Sequence, residues 1–432
     1  MLGKVTPLIL VCLNELNFDL ISDYSANGSL PNLERIRKAA VRTTSEDQYD
    51  LLEPWIQWVS VYSGLSAREH SVYRLGDVID TSVPQIFEDL EQLGLKVGAV
   101  SPMNAANRLK SPAYFLPDPW TQTHPDNSAL ASRLSRAISQ VVNDNSQAKI
   151  TMESAFTLGA SLLRFARPSN YPLYGRLAYG AATARKWHKP ILFDLFLADL
   201  HFRLFQRKRP DFSSVFLNAA AHIQHHYLCN ARRFRDKKSN PTWYIGESED
   251  PFHDVLKAYD RIVGDVMAMK DVTAFFVTGL TQKPYEDTTF YWRLKDHADF
   301  LRSLGVDFRE VHPRMTRDFL IVFDNQEAAL RGEAIIRSVR VNEDGIGLFD
   351  HVDNRGHSLF VTLTYPNDIT SRMRISCGKK DLGFLRPSVA FVALKNGQHD
   401  GVGFFAAYPS VAEGLEVGHV KNMREIILNH FR

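Results

Sequence analysis

The sequence predicts a doubly wound α/β fold: a mostly parallel sheet flanked by helices, interrupted by a helical insertion and a small β-rich subdomain. Three observations predict it. "PLILVCL" near the start is a continuous apolar run, the pattern of a parallel strand buried on both faces. Strand and helix patterns then alternate through the first hundred residues, which is the βαβ rhythm of a parallel sheet. The same rhythm returns after residue 211, at "DFSSVFLNAAAHIQHHY", "FHDVLKAYDRIVGDVMAMK" and "VTAFFVTGL".

Each element follows from its local chemistry. "LPNLERIRKAA" has helical spacing behind a proline, and "TSVPQIFEDLEQLG" begins near Ser82 and Pro84 and stops at Gly94 before the short strand "KVGAVSP". These make residues 1–124 the first part of the core. Residues 125–210 change to long helical stretches such as "SALASRLSRAISQVV" and "ILFDLFLADLHFRLFQRK", read as an insertion. The core resumes over 211–317. Residues 318–385, with "DFLIVF", "SVRVN" and "SLFVTLTY", form the β-rich subdomain, and 386–432 return to the core through "SVAFVALKNGQHDGVGFFAAYPSV".

Composition bounds the function. The 432 residues are 44% hydrophobic and 23% charged, with a net charge of +2, so the chain is folded and has no global attraction for nucleic acid. Cys12, Cys229 and Cys377 are far apart and lack metal-type spacing, which fits reduced core residues. The run "VTPLILVCL" is too short for a membrane span, and the expected location is the cytoplasm, free or peripheral at the inner face of the membrane.

Several segments in chain order resemble the alkaline phosphatase superfamily, in particular its type I phosphodiesterase/nucleotide pyrophosphatase branch. "LILVCLNEL" is similar to the opening strand, with Asn14 and Glu15 at the place of an Asp-Gly pair, and "LPNLERIRKAA" to the Pro-Asn-Leu helix. "EPWIQWVSVYSGLSAREHSV" matches the helix that follows the nucleophile, with its Ser63-Gly64 ending and His70, but Pro54 stands in the nucleophile's slot. "AAAHIQHHY" resembles the Asp-x-x-x-His segment with His225 in place and Ala221 where the Asp belongs. "FFVTGLTQ" puts Gly279 and Leu280 at an Asp-His pair, and "NGQHDGVGFFAAYP" supplies a final His as His399.

The resemblance implies a two-metal phosphoryl- or sulfuryl-transfer site. Pro, Gly and Leu side chains cannot ligate a cation, so a two-metal centre is not expected. The remaining set, His225 and His399 with Glu15 or His222 as substitutes, suits one divalent cation at most, zinc or manganese. Without metal, the two imidazoles would serve as a general base and an anion holder.

The catalytic candidates are therefore Glu15, Glu53, His225 and His399, and the substrate-binding candidates Asn14, Gln57, His222, Thr278 and Gln282. Glu53 is either a carboxylate capping the helix that starts at Pro54 or, with Glu15, an acid/base pair for sugar-type chemistry. Gln57 lies one turn further on, facing either the cleft or solvent. Thr278 and Gln282 lie at the tip of a strand, where open α/β sheets bind ligands. Trp55 and Trp58 read first as core or cleft lining, and His70 and Arg74 as structural.

One local charge bias stands out. Arg164, Arg167, Arg176, Arg185, Lys186, Lys189, Arg203, Arg207, Lys208 and Arg209 face Asp194 and Asp199 alone. This is a solvated basic face, a binding surface for an anionic substrate, or a peripheral membrane contact through 164–209 beside the apolar face of "ILFDLFLADL". The leading functional reading is a divergent hydrolase or transferase acting on an anionic small molecule, a nucleotide-sugar or a glycan, with polysaccharide metabolism as its setting by analogy. The alternatives are a non-catalytic carbohydrate- or nucleotide-binding relative and a metal-dependent phosphodiesterase.

Overall fold

The computed structural model describes residues 6–143, 151–314, 317–409 and 417–432. The chain divides into two units, one of residues 1–139, 151–284 and 396–432, the other of 140–150 and 285–395.

The first unit is built on eight strands. Strand β1 (Leu8–Leu13), wholly buried as its apolar run requires, lies between β5 (Phe212–Leu217) and β6 (Thr273–Val277), parallel to both. With β2 (Val41–Thr44), β3 (Val97–Val100), β4 (Tyr114–Leu116), β9 (Val402–Tyr408) and β10 (Gly418–His419) the order is β10-β2-β9-β6-β1-β5-β3-β4. Only β9 runs antiparallel to its neighbours. A short ribbon, β7 (Thr281–Pro284) against β8 (Gly397–Asp400), rises from the ends of β6 and β9 and sets Gln282 opposite His399. The expected doubly wound, mostly parallel architecture is the one observed.

Seven helices of this unit matter here: α1 (Pro31–Ala39), α2 (Pro54–Ser63), α3 (Met152–Phe165), α4 (Tyr171–Ala182), α5 (His188–Lys208), α6 (Ala219–Tyr227) and α7 (Pro251–Met267). Three of them, α1, α2 and α7, open on proline, whose missing N–H costs nothing in a first turn. Gly64 ends α2 with φ of +72°, the left-handed cap a glycine takes without strain.

The span read as an insertion proves to be partly core. Ile191, Leu195, Phe196, Leu197 and Leu200 of α5 are buried, so the apolar face of "ILFDLFLADL" packs inward and is not available to a membrane. Asp194 and Asp199 are buried too. Asp194 accepts hydrogen bonds from the Ala219 N–H (2.6 Å) and the Tyr259 hydroxyl (2.6 Å), anchoring the start of α6. Asp199 accepts from Arg167 Nε (2.7 Å), the Arg167 N–H (2.8 Å), Asn170 Nδ2 (2.8 Å) and the Tyr174 hydroxyl (3.1 Å). Arg167 also pairs with Asp265, Arg176 with Asp254 and Arg185 with Glu249.

His201 of α5 is buried with its Nε2 2.6 Å from Ser213 Oγ, and burial lowers its pKa to about 3. The imidazole is neutral in the fold but takes a proton near pH 6.5 when unfolded. Its contribution is therefore whole above that pH and lost as pH falls toward 3. Urea midpoints of the native chain should fall between pH 6.5 and 4 more steeply than those of His201→Gln, by roughly 1.4 kcal/mol per pH unit. Parallel pH profiles for the two proteins would contradict this.

The second unit is antiparallel: His351–Asn354, Ser358–Thr362, Asp318–Val322 and Glu310–Pro313 make one sheet and Val339–Val341, Arg374–Cys377 and Lys380–Phe384 another. Its bounds are wider than 318–385. Phe290–Leu294 pairs with Val389–Leu394, so "VAFVAL" belongs to this unit and the core resumes only at Asn396. The period of an apolar strand does not tell which unit buries it.

Candidate functional site

The site forms where β1, β5 and β6 end. The ladder continues one residue past β1: the Asn14 N–H bonds to Leu217 O (3.0 Å) on one side, and the Glu15 N–H to Thr278 O (3.0 Å) on the other. Glu15 then turns with φ of +58°, a left-handed conformation unusual for a side chain of this type and frequent at functional sites. The Gln224 amide of α6 bonds to the Glu15 carbonyl (2.8 Å) and holds this turn. Glu15 is only 1% exposed.

Two imidazole nitrogens converge on the Glu15 carboxylate edge. His225 Nε2 and His399 Nε2 lie 3.3 Å and 3.5 Å from Glu15 Oε2 and 3.3 Å from each other. Asn14 Nδ2 donates to Glu15 Oε1 (3.2 Å), and Gln282 Nε2 donates to Glu15 Oε2. Asn14 is itself fixed, donating to Asn218 Oδ1 (2.8 Å) and accepting from Trp58 Nε1 (2.7 Å). Glu53 Oε2 stands 3.7 Å from His399 Nδ1, on the far side of that ring. Burial opposes the Glu15 charge, yet His399 and His225 outweigh it and hold the carboxyl far below the usual carboxylate range.

This geometry suits a cation. A carboxylate facing His399 Nδ1 favours the tautomer protonated there, leaving a lone pair on Nε2. Nε2 atoms and a carboxylate oxygen facing one another at such distances suit positive charge between them, supplied by a cation or by a ring proton. In a tetrahedral zinc site, with Zn–N of about 2.0–2.1 Å, neighbouring ligand atoms stand roughly 3.3–3.4 Å apart. Separations of 3.3, 3.3 and 3.5 Å match that spacing. Glu15, His225 and His399 are the one group of three or more potential ligand residues among the described residues. At the positions where the resemblance implied ligands of a second metal, Pro54 and Gly279 have side chains with no ligand atom, and Leu280 is buried.

Other expectations change. Glu15 is buried and takes hydrogen bonds from Asn14 and Gln282, whereas Glu53, the other half of the expected acid/base pair, is partly exposed. Glu53 occupies the N-cap position of α2, but its side chain makes no capping bond. Gln57 is buried and donates to Leu51 O (2.8 Å), which shapes the turn before Glu53. Thr278 is also buried, its hydroxyl accepting the Phe404 N–H (2.8 Å). His222 is exposed on α6 and stacks edge-on against His226, outside the triad. Trp58 is core. His70 is structural: Nδ1 accepts the Val72 N–H (3.0 Å) and Nε2 faces Ser60 Oγ (3.1 Å).

Sequence reasoning missed Gln224, Asn218 and Asn396. The Asn396 N–H binds the His225 carbonyl (2.7 Å), while its side chain joins a buried knot with Asn240 and the Cys229 N–H. It thereby ties the end of α6 to the ribbon carrying His399. Only an asparagine directly before "GQH" could have signalled this. Gly397 has a sharper requirement, since a Cβ there would lie 2.0 Å from Gln282 Oε1 and 2.8 Å from Gln224 O. Gly397→Ala is expected to cost about 1–3 kcal/mol by overpacking, read as a lower urea midpoint. An unchanged midpoint would show that the ribbon yields freely.

A cavity of about 460 Å³ lined by Arg167, Phe202, Phe205, Arg209, Met269 and Lys270 lies elsewhere. Arg209 and Lys270 precede β5 and β6, so it opens at the opposite edge of the sheet. Its Arg167 guanidinium is already neutralised by Asp199 and Asp265.

No protein-family model and no curated protein sequence matches the chain. Among solved structures, it is similar to phosphonoacetate hydrolase from Sinorhizobium meliloti 1021 in complex with phosphonoformate, at 15% identity and a TM-score of 0.41, covering 99% of this chain and 96% of that one. It is similar to alkaline phosphatase from the Antarctic bacterium TAB5, at 10% identity and 0.38, covering 99% and 98%. It is also similar to murine ectonucleotide pyrophosphatase/phosphodiesterase 5, at 10% identity and 0.38, covering 98% and 94%. Likeness at this level says nothing of this chain's chemistry.

Proposed function

We propose that this chain is a hydrolase of phosphate-containing anionic substrates that uses one divalent cation, zinc or manganese, held by Glu15, His225 and His399. The observation that carries the reading is the triangle of ligand atoms at 3.3, 3.3 and 3.5 Å around a buried carboxylate oxygen. Bound there, such a cation supplies charge neutralisation for a phosphoryl group and acidifies a coordinated water.

The chain's own residues do the rest. Glu15 contributes a permanent negative charge, fixed in place by Asn14 and Gln282. Glu53, 3.7 Å from His399 Nδ1, favours by its charge the tautomer protonated there and, being partly exposed, is the carboxylate that would accept a proton from an attacking water. With Pro54 at the head of α2 there is no side-chain nucleophile in that slot, so the reaction has no covalent intermediate on it.

The test is elemental analysis of chain purified without chelator, together with turnover of bis(p-nitrophenyl) phosphate before and after EDTA. About one equivalent of zinc or manganese per chain and chelator-sensitive turnover are expected. Absence of metal and turnover, with a nucleotide-sugar raising the Tm, would replace this reading with the non-catalytic binding relative.

A further inference from the structure

We propose that the outer faces of α3 and α4 dock on a bilayer carrying anionic headgroups. Helix α3 buries Phe165 but also turns a second apolar stripe outward. Its Ser154 and Ser161 are buried, while Met152, Phe156 and Leu163 are 87%, 77% and 84% exposed. At about 100° per residue these three lie within an arc of roughly 40°, forming a stripe about 16 Å long. Tyr179 (74% exposed) and Tyr171 stand out from α4, the residue type that settles at headgroup level. Core packing explains none of these positions, and grouped exposed apolar side chains mark an interaction surface.

Charge selects the partner. Residues 151–209 hold ten Lys and Arg against Glu153, Asp194 and Asp199, and both aspartates are buried. Arg167, Arg176 and Arg185 are paired inward. Lys186, Lys189, Arg207, Lys208 and Arg209 are exposed and form no ion pair among the described residues. Arg164 and Arg207 both lie over the Phe165 ring at 5.6 Å, which puts basic charge at the end of the apolar stripe. Exposed apolar side chains in the same span as exposed cations, unpaired among the described residues, match an anionic membrane surface, where burial and attraction to headgroups add. A second copy of the chain would set the same cations against each other.

Vesicle sedimentation tests the proposal with the intact chain. The native protein is expected to pellet with vesicles of equal parts phosphatidylglycerol and phosphatidylcholine, to be released by high salt, and to stay in solution with phosphatidylcholine alone. Lys186→Gln, Lys189→Gln and Lys208→Gln together should weaken binding roughly a hundredfold, and Met152→Ser, Phe156→Ser and Leu163→Ser together at least ~10-fold. All six side chains are exposed, so the Tm of either variant should match the native value. The proposal is overturned by equal pelleting with both vesicle types, by no pelleting with either, by unchanged binding of the variants, or by a native dimer that the apolar substitutions make monomeric.

Discussion

Glu15→Gln is expected to strip the chain of its cation, lowering metal affinity by more than roughly a hundredfold, since even outer partners of a metal ligand are worth about 10–100-fold. The substitution keeps the shape of the side chain and removes its charge, leaving two imidazoles facing a neutral amide. Turnover should fall with metal occupancy. The Tm should lose the increment that metal gives the native chain and become insensitive to EDTA. Glu53→Gln separates the roles: metal stoichiometry should survive, with affinity reduced by about tenfold, while the pH profile of turnover loses its acidic limb. Retention of a full equivalent of metal by Glu15→Gln would sink the proposed ligand set. So would equal metal loss in the two variants, because that would make Glu53 as much a ligand as Glu15.

Asp199→Ala should be the most damaging substitution away from the site, at about 3–5 kcal/mol. Asp199 is fully buried and takes four hydrogen bonds from Arg167, Asn170 and Tyr174. Removing it leaves a largely covered guanidinium with Asp265 alone, and an amide and a hydroxyl with no acceptor in its place. Asp199→Asn keeps an acceptor and should lose less. Urea denaturation would read both through the midpoint at constant slope. A loss below about 1 kcal/mol for Asp199→Ala would mean that residues 167–170 and the start of α4 relax to hydrate the partners left behind.

Much of the site was legible because two kinds of signal coincide in it. Strand ends carrying polar residues mark ligand-binding edges in a doubly wound sheet, which is why Asn14, Glu15 and Gln282 could be named. Resemblance supplied His225 and His399, which no local period distinguishes from the thirteen other histidines. The misplacements share a cause. Gln57 and Thr278 sit at the right edge but point inward, and burial of a polar side chain depends on main-chain groups far away in sequence: Leu51 O for one and the Phe404 N–H for the other. The apolar run of α5 left a membrane contact open as one alternative because amphipathic spacing shows that one face is apolar without saying what lies against it.

What the sequence by itself determined is the set of elements: the period of its apolar residues set the strands and helices. What only the tertiary structure decided is which charges meet. Glu15, Glu53, His225 and His399 are up to 384 residues apart in the chain, and their meeting depends on parallel register, a left-handed turn at Glu15 and a two-stranded ribbon. The same holds for the basic span, where folding buried the two aspartates against Arg167, Asn170, Tyr174 and Tyr259. Coulomb energy depends on distance and on the surrounding dielectric, and folding sets both.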